Sequence, residues 1–495
     1  MYLKPLTNSI QKIICYSVVA LTFMWASSSC KKDSLLTNSS AKLSFSQTQI
    51  LFDTVFTTIG STFQYFTIHN NHNQPIKISS VNLVGSYISP YKINIDGVAG
   101  TSFSNITIPA NDSIFVFVTV TINPNNANNP LVISDSLQFV TNGNTQYVDL
   151  IAWGQDAYFY RPNVFPKNGP AYSVLPCGTI WKNDKPHVVF GYLVVDSLCT
   201  LTMEPGTKVC MHNNAVLFVN TGGTLTITGT QSSPVTIQGD RLEAAYQTEP
   251  GQWGEIWLSA GSINNTVNWA VIKNGTVGIE ADTMGASSNP TLMISHTIIK
   301  SMSNIGLLGQ GSYIKGYDDL VADCQNYCVD LSLGGNYSFI QSTFANYWSY
   351  GQRQTTTLLV NNWYQDIYGN YQQRPLTNAF FGNCIVWGSL TEELQIDSSH
   401  GGSQPFKFYF ENCDLLTKLH TTSNYHYSVD STYSSDPHFT SPGSDNYALP
   451  TNSLAGLGNT TLCTYAASSN PFYGPIDLDG GVFQCPANLG AYNSQ

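Results

Sequence analysis

From Leu43 to about Trp153, hydrophobic and polar residues alternate with the two-residue period of half-buried strands. SIFVFVTVTI (Ser113–Ile122) places Ile114, Val116, Val118, Val120 and Ile122 on one face and Phe115, Phe117, Thr119 and Thr121 on the other. FQYFTIHNNHNQPIKISSVNL (Phe63–Leu83) reads as two strands joined by an Asn-rich turn, with Pro75 at the start of the second. Short strands at this spacing predict an Ig-like β-sandwich over residues 43–155. Pro162 and Pro166 mark a linker over 156–175.

Beyond Pro176 the pattern changes to a longer repeat. NWAVIKN (Asn268–Asn274), SHTIIKS (Ser295–Ser301), YDDLVAD (Tyr317–Asp323), QSTFAN (Gln341–Asn346), GNCIVWG (Gly382–Gly388) and ENCDLLT (Glu411–Thr417) superimpose. Ile272, Ile299, Val321, Phe344, Val386 and Leu415 then align at spacings of roughly 22 to 29 residues with one longer gap, as stacked solenoid coils require. Two residues earlier stand Ala270, Thr297, Asp319, Ser342, Cys384 and Cys413, all small except Asp319. Two residues later come Asn274, Ser301, Asp323 and Asn346, polar types that satisfy backbone groups at stacked turns. A second short strand follows as VGI (Val277–Ile279), IGL (Ile305–Leu307) and YCV (Tyr327–Val329).

Composition strengthens the all-β reading. Hydrophobic residues make up 42% of the 495 positions but charged residues only 10%, against a usual share of about 25%. The net charge of -11 has no compensating Lys/Arg cluster, which argues against a nucleic-acid partner and, less strongly, against highly acidic polysaccharides.

The first thirty residues stand apart from the fold. Lys4 and Lys12 precede the apolar run IICYSVVALTFMWA (Ile13–Ala26), which is too short for a relaxed membrane span, and SSSC (Ser27–Cys30) follows. This arrangement resembles the lipobox of Bacteroidota lipoproteins, which implies that Cys30 is acylated and that residues 31–42 form a tether to an outer-membrane anchor. With Cys15 and Cys30 set aside, nine of the 11 cysteines remain, an odd number without CxxC or His-rich spacing, so no zinc site or other metal or cofactor is expected.

LTMEPGTKVCMHNNAVLFVNTGGTLTITGTQSSPVTIQGD (Leu201–Asp240), together with the ladder, resembles the right-handed parallel β-helix of the pectate-lyase-like superfold. DPHFTSPGSDNYALPTNSLAGLG (Asp436–Gly458), DLDGG (Asp477–Gly481) and NLGAY (Asn488–Tyr492) are similar to the terminal coils of bacterial surface β-helices. The resemblance implies a β-helix over residues 176–495, with Cys384 and Cys413 as small core residues.

β-Helices of this kind include polysaccharide lyases and glycoside hydrolases, which gather acidic residues on one exposed face. Asp318, Asp319, Asp323 and Asp330 are the densest acidic group here, and Asp318 and Asp319 are the candidate catalytic pair. His400-Gly401 matches a further fragment of the hydrolase pattern, but the chain contains no Arg-x-Lys.

QGDRLEAAYQTEPGQWGEIWL (Gln238–Leu258) reads as a corner excursion closed by Asp240, Arg241 and Glu243 and packed down by Trp253 and Trp257. Its functional alternative is a sugar subsite with Trp253 as a stacking platform and Asp240 and Glu255 as acceptors. Glu255 occupies a position where the resembled lipoproteins carry glycine in GQWGGIWL. The long gap between coils, Asn346–Leu376, supplies Trp348, Trp363, Tyr364, Arg353 and Arg374 as candidate contacts to a carbohydrate or protein. A non-catalytic glycan- or protein-binding surface module is therefore the first expectation. A polysaccharide lyase or glycoside hydrolase is the alternative, and a structural spacer is the third reading.

Overall fold

The computed structural model describes residues 34–123, 131–283, 289–398, 404–421, 426–427, 432–450, 454, 457–459, 462, 472–473, 476–482 and 488–492. The chain forms two compact units, Met1–Gln155 and Asp156–Gln495. Cys30, the His400-Gly401 pair, Cys463 and Cys485 lie outside the described residues. Among the described residues no helix is long and apolar enough to cross a membrane.

The first unit contains two five-stranded sheets. One orders Ser44–Phe45, Gln64–His69, Ser113–Val120, Tyr91–Ile95 and Val98–Gly100, all antiparallel. The other orders Gln49–Phe56, Asn144–Gln155, Leu131–Thr141, Ile76–Leu83 and Ser102–Ile108, antiparallel except for its first pair. Alternation divides the faces as the sequence predicts: Ile114, Val116, Val118 and Val120 are buried while Phe115 is exposed. The two sheets share one core, in which Phe139 of the second meets Phe45 and Phe66 of the first at ring separations of 5.0 and 6.3 Å.

The second unit is built from three all-parallel sheets of 10, 9 and 9 strands, visited in rotation by the chain. This is the architecture of a parallel β-helix. The ladder aligned from sequence is the register of the first sheet: Ile272 pairs with Ile299, then Val321, Phe344, Val386 and Leu415 in turn, all buried. The VGI and IGL segments lie on the second sheet, whose next strand, Val329–Ser332, begins at the last residue of YCV, and Ile279, Leu307 and Val329 are in register. Coiling begins earlier than the sequence boundary implies. Tyr158–Tyr160 and Tyr172–Val174 already pair with His187–Val189 and Tyr192–Val194, so the stretch read as a linker contains the first rungs.

Corner chemistry explains the polar residues that interrupt the ladder. Trp269, His296, Asp318, Gln341, Asn383 and Asn412 stack at the turn into the first sheet, all with left-handed φ between 50° and 57°, a region in which Asn, Asp and His are enriched. The next column is tied by side chains accepting from the preceding rung. Thr297 Oγ1 accepts from Ala270 N, Asp319 Oδ1 from Thr297 N, Ser342 Oγ from Asp319 N and Cys413 Sγ from Cys384 N. Asp319 is thus a backbone cap in the position its small neighbours occupy.

Cys177 and Cys199 form a disulfide, whereas Cys210, Cys324, Cys328, Cys384 and Cys413 are buried free thiols. The outer face of the first sheet is covered by the C-terminal segment, with Leu320, Ala345, Ile385 and Trp387 packed against Phe439, Tyr447, Leu489 and Tyr492.

Candidate functional site

The residues singled out from sequence do not converge on one place. Trp253 is fully buried, with its ring under Gly275 and its Nε1 donating to the Lys273 carbonyl at 2.9 Å, so it cannot serve as a stacking platform. Arg353 is likewise unavailable to a ligand. Its guanidinium forms a two-pronged ion pair with buried Glu393 and also donates to the Asn346 and Thr355 carbonyls. Trp348 is buried beside Tyr350, and Arg374 is bonded to Thr283. Trp363 and Tyr364 lie on a small hairpin, where Trp363 packs edge-on against Tyr371 and Tyr364 is exposed.

Asp318 and Asp319 are buried rather than displayed on a face. Burial holds the Asp319 carboxyl well above the usual carboxylate range despite its bonds from Thr297 N and Tyr317 N. Burial, followed by the charges of Asp319, Asp477 and Asp479, does the same to Asp318, whose nearest basic partner is His296 at 3.9 Å. In the excursion, Asp240 pairs with His212 at 2.6 Å, while Arg241 pairs with Glu243 at 3.0 Å and lies over the Tyr246 ring.

A different set of side chains forms a cleft of about 590 Å³ on the outer face of the second sheet. In the strands Tyr192–Val195, Val216–Val219 and Glu255–Leu258, Leu193, Val195, Leu217, Val219, Ile256 and Leu258 point into the core. Alternation leaves Tyr192, Val194, Phe218, Glu255 and Trp257 for the outer face. Register then stacks Val194, Phe218, Trp257 and Glu280 on successive rungs. Phe218 and Trp257 meet edge to face at 5.1 Å, and Tyr172 and the Pro166–Pro170 loop complete the wall.

Asp196 is the one acidic side chain that lines the cleft, and Glu255, Glu280 and Asp282 form a separate group next to Trp257, outside the lining. Asp196 accepts from Asn220 Nδ2 at 3.0 Å, and both line the cleft. Trp257 Nε1 donates to Asp282 at 2.8 Å, and Gln310 donates to Glu280 at 3.1 Å. Burial, then the charges of Glu255 and Asp282, push Glu280 up to about 8. Burial, then the Asp282 charge, raise Glu255, whereas the hydrogen bond with Glu280 acts in the opposite sense. Burial followed by the same two glutamates also raises the Tyr192 hydroxyl, which ties this cluster to the cleft wall. No Lys, Arg or His lines the cleft.

Sequence reasoning reached Glu255 but missed Tyr192, Phe218, Glu280 and Asp282. The signal was available. Aligning AVLFVN with GEIWL and VGIEAD by their inward residues puts Phe218, Trp257 and Glu280 in one outer column.

A second cleft of about 300 Å³, lined by Tyr347, Tyr350, Asp323 and Asp445, is braced internally: Tyr447 donates to Asp323, and Lys300 pairs with Asp445 at 2.8 Å. Among the described residues no three His, Cys, Asp or Glu side chains are grouped to hold a metal ion.

No family model matches the chain, and no curated protein matches it. Solved structures with local likeness include PapD-like domain 7 of human CEP192, at 10% identity and TM-score 0.17, covering 26% of this chain and 92% of that one. A family 123 glycoside hydrolase from Clostridium perfringens matches at 11% identity and TM-score 0.17, covering 24% of this chain and 30% of its own. Vibrio cholerae VesB protease matches at 14% identity and TM-score 0.17, with 24% and 33% covered. At these TM-scores none carries a functional inference. Fold and site define an all-β protein whose three-sheet parallel coil bears an aromatic cleft edged by Asp196 and Asn220.

Proposed function

We propose that this chain is a lipid-anchored protein of the bacterial cell envelope, with an Ig-like sandwich followed by a right-handed β-helix that binds a glycan in the cleft of Tyr172, Tyr192, Phe218 and Trp257. The observation that carries this reading is the cleft itself, where aromatic surfaces adjoin carboxylate and amide groups. Sugar rings present apolar C–H faces and rims of hydroxyls, and such a cleft offers partners to both. The right-handed sense follows the strong preference of parallel crossovers. The anchor rests on the sequence around Cys30, with an outer-membrane address as the favoured location.

Purified protein is to be tested for retention on a panel of neutral, amine-bearing and acidic polysaccharides. Trp257→Ala is expected to reduce retention of the bound glycan about tenfold or more, the order of a lost aromatic anchor. Retention unchanged by that substitution would remove the cleft from consideration, and no retention on any glycan would leave a protein ligand or a spacer role. For the anchor, Cys30→Ala is expected to abolish incorporation of labelled fatty acid, and undiminished labelling of the variant would refute it.

One arrangement favours a catalytic second reading, glycan cleavage: Glu280 and Glu255 share a hydrogen bond next to Trp257, and burial followed by the charges of Glu255 and Asp282 raises the Glu280 carboxyl, the direction a general acid requires. New reducing or unsaturated ends in the same panel, lost in Glu280→Gln, would establish it.

A further inference from the structure

An antiparallel sheet with one face on a core commonly turns polar residues to water. In the first unit, the sheet that contains Gln49–Phe56 does so: on its outer face Ser102 donates to Asn82 at 2.7 Å, Ser136 to Asp149 at 2.9 Å and Gln138 to Tyr147 at 2.9 Å. The other sheet does not. Alternation along Gln64–His69 and Ser113–Val120 sends Phe66, Ile68, Val116 and Val118 into the core and leaves Tyr65, Phe115 and Phe117 outside, with Phe63 beside them. Phe115 and Phe117 stack at 6.0 Å, Tyr65 stands within 6.1 Å of both, and Phe63 meets Phe117 edge-on at 5.7 Å. Phe63, Tyr65 and Phe115 are 62%, 53% and 47% exposed.

The path of the chain before this sheet says what covers the face. Gln74 donates to the Ser34 carbonyl and hydroxyl, and Leu36 N donates to the Pro75 carbonyl at 2.8 Å, so the incoming chain is fastened to the turn after His69. His69 pairs with Ser113, which puts that turn at the end of the sheet where Ser113–Val120 begins. Cys30 lies four residues before Ser34, a reach of at most about 14 Å. Along the strand, Phe115 is about 7 Å and Phe117 about 14 Å from Ser113. An acyl group on Cys30 therefore holds the bilayer surface within reach of all four rings.

We infer that this aromatic face docks on the membrane that holds the anchor, its rings lying among lipid headgroups and the first acyl carbons. The inference rests on the lipid-anchor reading above and adds a second contact with the same bilayer. Aromatic side chains are the ones a membrane interface favours. The three most exposed rings offer roughly 300 Å² at about 200 Å² per aromatic side chain, against about 800 Å² that each partner of a stable protein complex buries. Such an area suits a contact made effectively intramolecular by an anchor. Lys92 at the rim is offset by Asp96 and Asp112 at the lower edge, so the docking is apolar and does not require anionic lipid.

The test is flotation of the mature chain from Lys31 onward, which keeps both units and lacks the acylated residue, with vesicles of phosphatidylcholine and phosphatidylethanolamine. The unaltered chain is expected to float with the vesicles, and to do so equally at raised ionic strength. Phe115→Ser with Phe117→Ser should lower the partition coefficient about tenfold or more, the order of two aromatic side chains returned to water. Phe63→Ser with Tyr65→Ser should do the same from outside that strand, whereas Gln138→Ser on the opposite sheet should change nothing. Circular dichroism of each variant separates loss of fold from loss of docking.

No flotation of the unaltered chain, or flotation equal in both double variants, would overturn the proposal. Self-association in sedimentation velocity that the double variants abolish, without flotation, would assign the face to a second copy and overturn it as well. Fatty-acid labelling of Cys30 with no flotation would leave the anchor and remove the docking face, whereas flotation lost in the double variants, with no labelling, would leave the face and remove the anchor.

Discussion

Replacing Glu393 with alanine is expected to destabilise the β-helix by about 3–5 kcal/mol, the order seen when one partner of a buried ion pair is removed. Glu393 is fully buried and accepts from both terminal nitrogens of Arg353, from Thr357 N at 3.0 Å, Thr357 Oγ1 at 2.8 Å and Leu390 N at 2.8 Å. The substitution would leave a guanidinium and three further donors with no acceptor on this side. Thermal unfolding should show a midpoint lowered by roughly 5–10 °C. The paired change Arg353→Met with Glu393→Leu should recover part of that loss, because it removes both charges together. A single-variant midpoint equal to that of the unaltered protein would show that the pair does not hold Asn346–Thr357 to the following coil.

Introducing a carboxyl into the inward ladder should have a comparable effect. Val321 lies between Ile299 and Phe344 on neighbouring rungs, with 1% of its surface exposed. Val321→Asp replaces a packed aliphatic group with a carboxyl that finds no donor there, a change of about 4 kcal/mol by desolvation and lost packing. Thr226→Asp, on an outward position of the third sheet, should stay within about 1 kcal/mol as a surface substitution does. A Val321→Asp melting curve equal to that of the unaltered protein would mean that the inward register of the ladder is wrong.

The inward ladder was legible in the sequence because a stacked coil repeats its requirements. Each rung needs an aliphatic or aromatic residue at the same place, so Ile272, Ile299, Val321, Phe344, Val386 and Leu415 align by type alone. The two-residue alternation of Ser113–Val120 was legible for a similar reason, since one face of that strand is buried and the other is not. Asp319 stood out of its column because its reason for being there, the backbone amide of Thr297 on the preceding rung, is not a property of Asp319 itself.

The outer-face site was harder to read, and the two tryptophans of GQWGEIWL show why. Trp253, Glu255 and Trp257 have the same parity, so simple alternation places them on one face. The strand begins only at Glu255. Trp253 lies in the preceding turn, where its ring swings inward beneath Gly275, a residue whose Cβ would stand 2.7 Å from that ring. Likewise, Arg353 has the composition of a ligand contact, and only the next coil, by delivering Glu393, makes it structural.

The sequence by itself determined the all-β composition, the division into alternating strands and stacked coils, and the inward column of the first sheet, since each follows from burial repeated at a fixed period. The tertiary structure alone decided which outward residues meet. Phe218, Trp257 and Glu280 are brought onto successive rungs by coils of unequal length, and the excursion from Asp240 to Gly254 lengthens one coil without disturbing the sheet register. Pairing between rungs, a property of the closed coil, therefore places the aromatic wall beside the carboxylates.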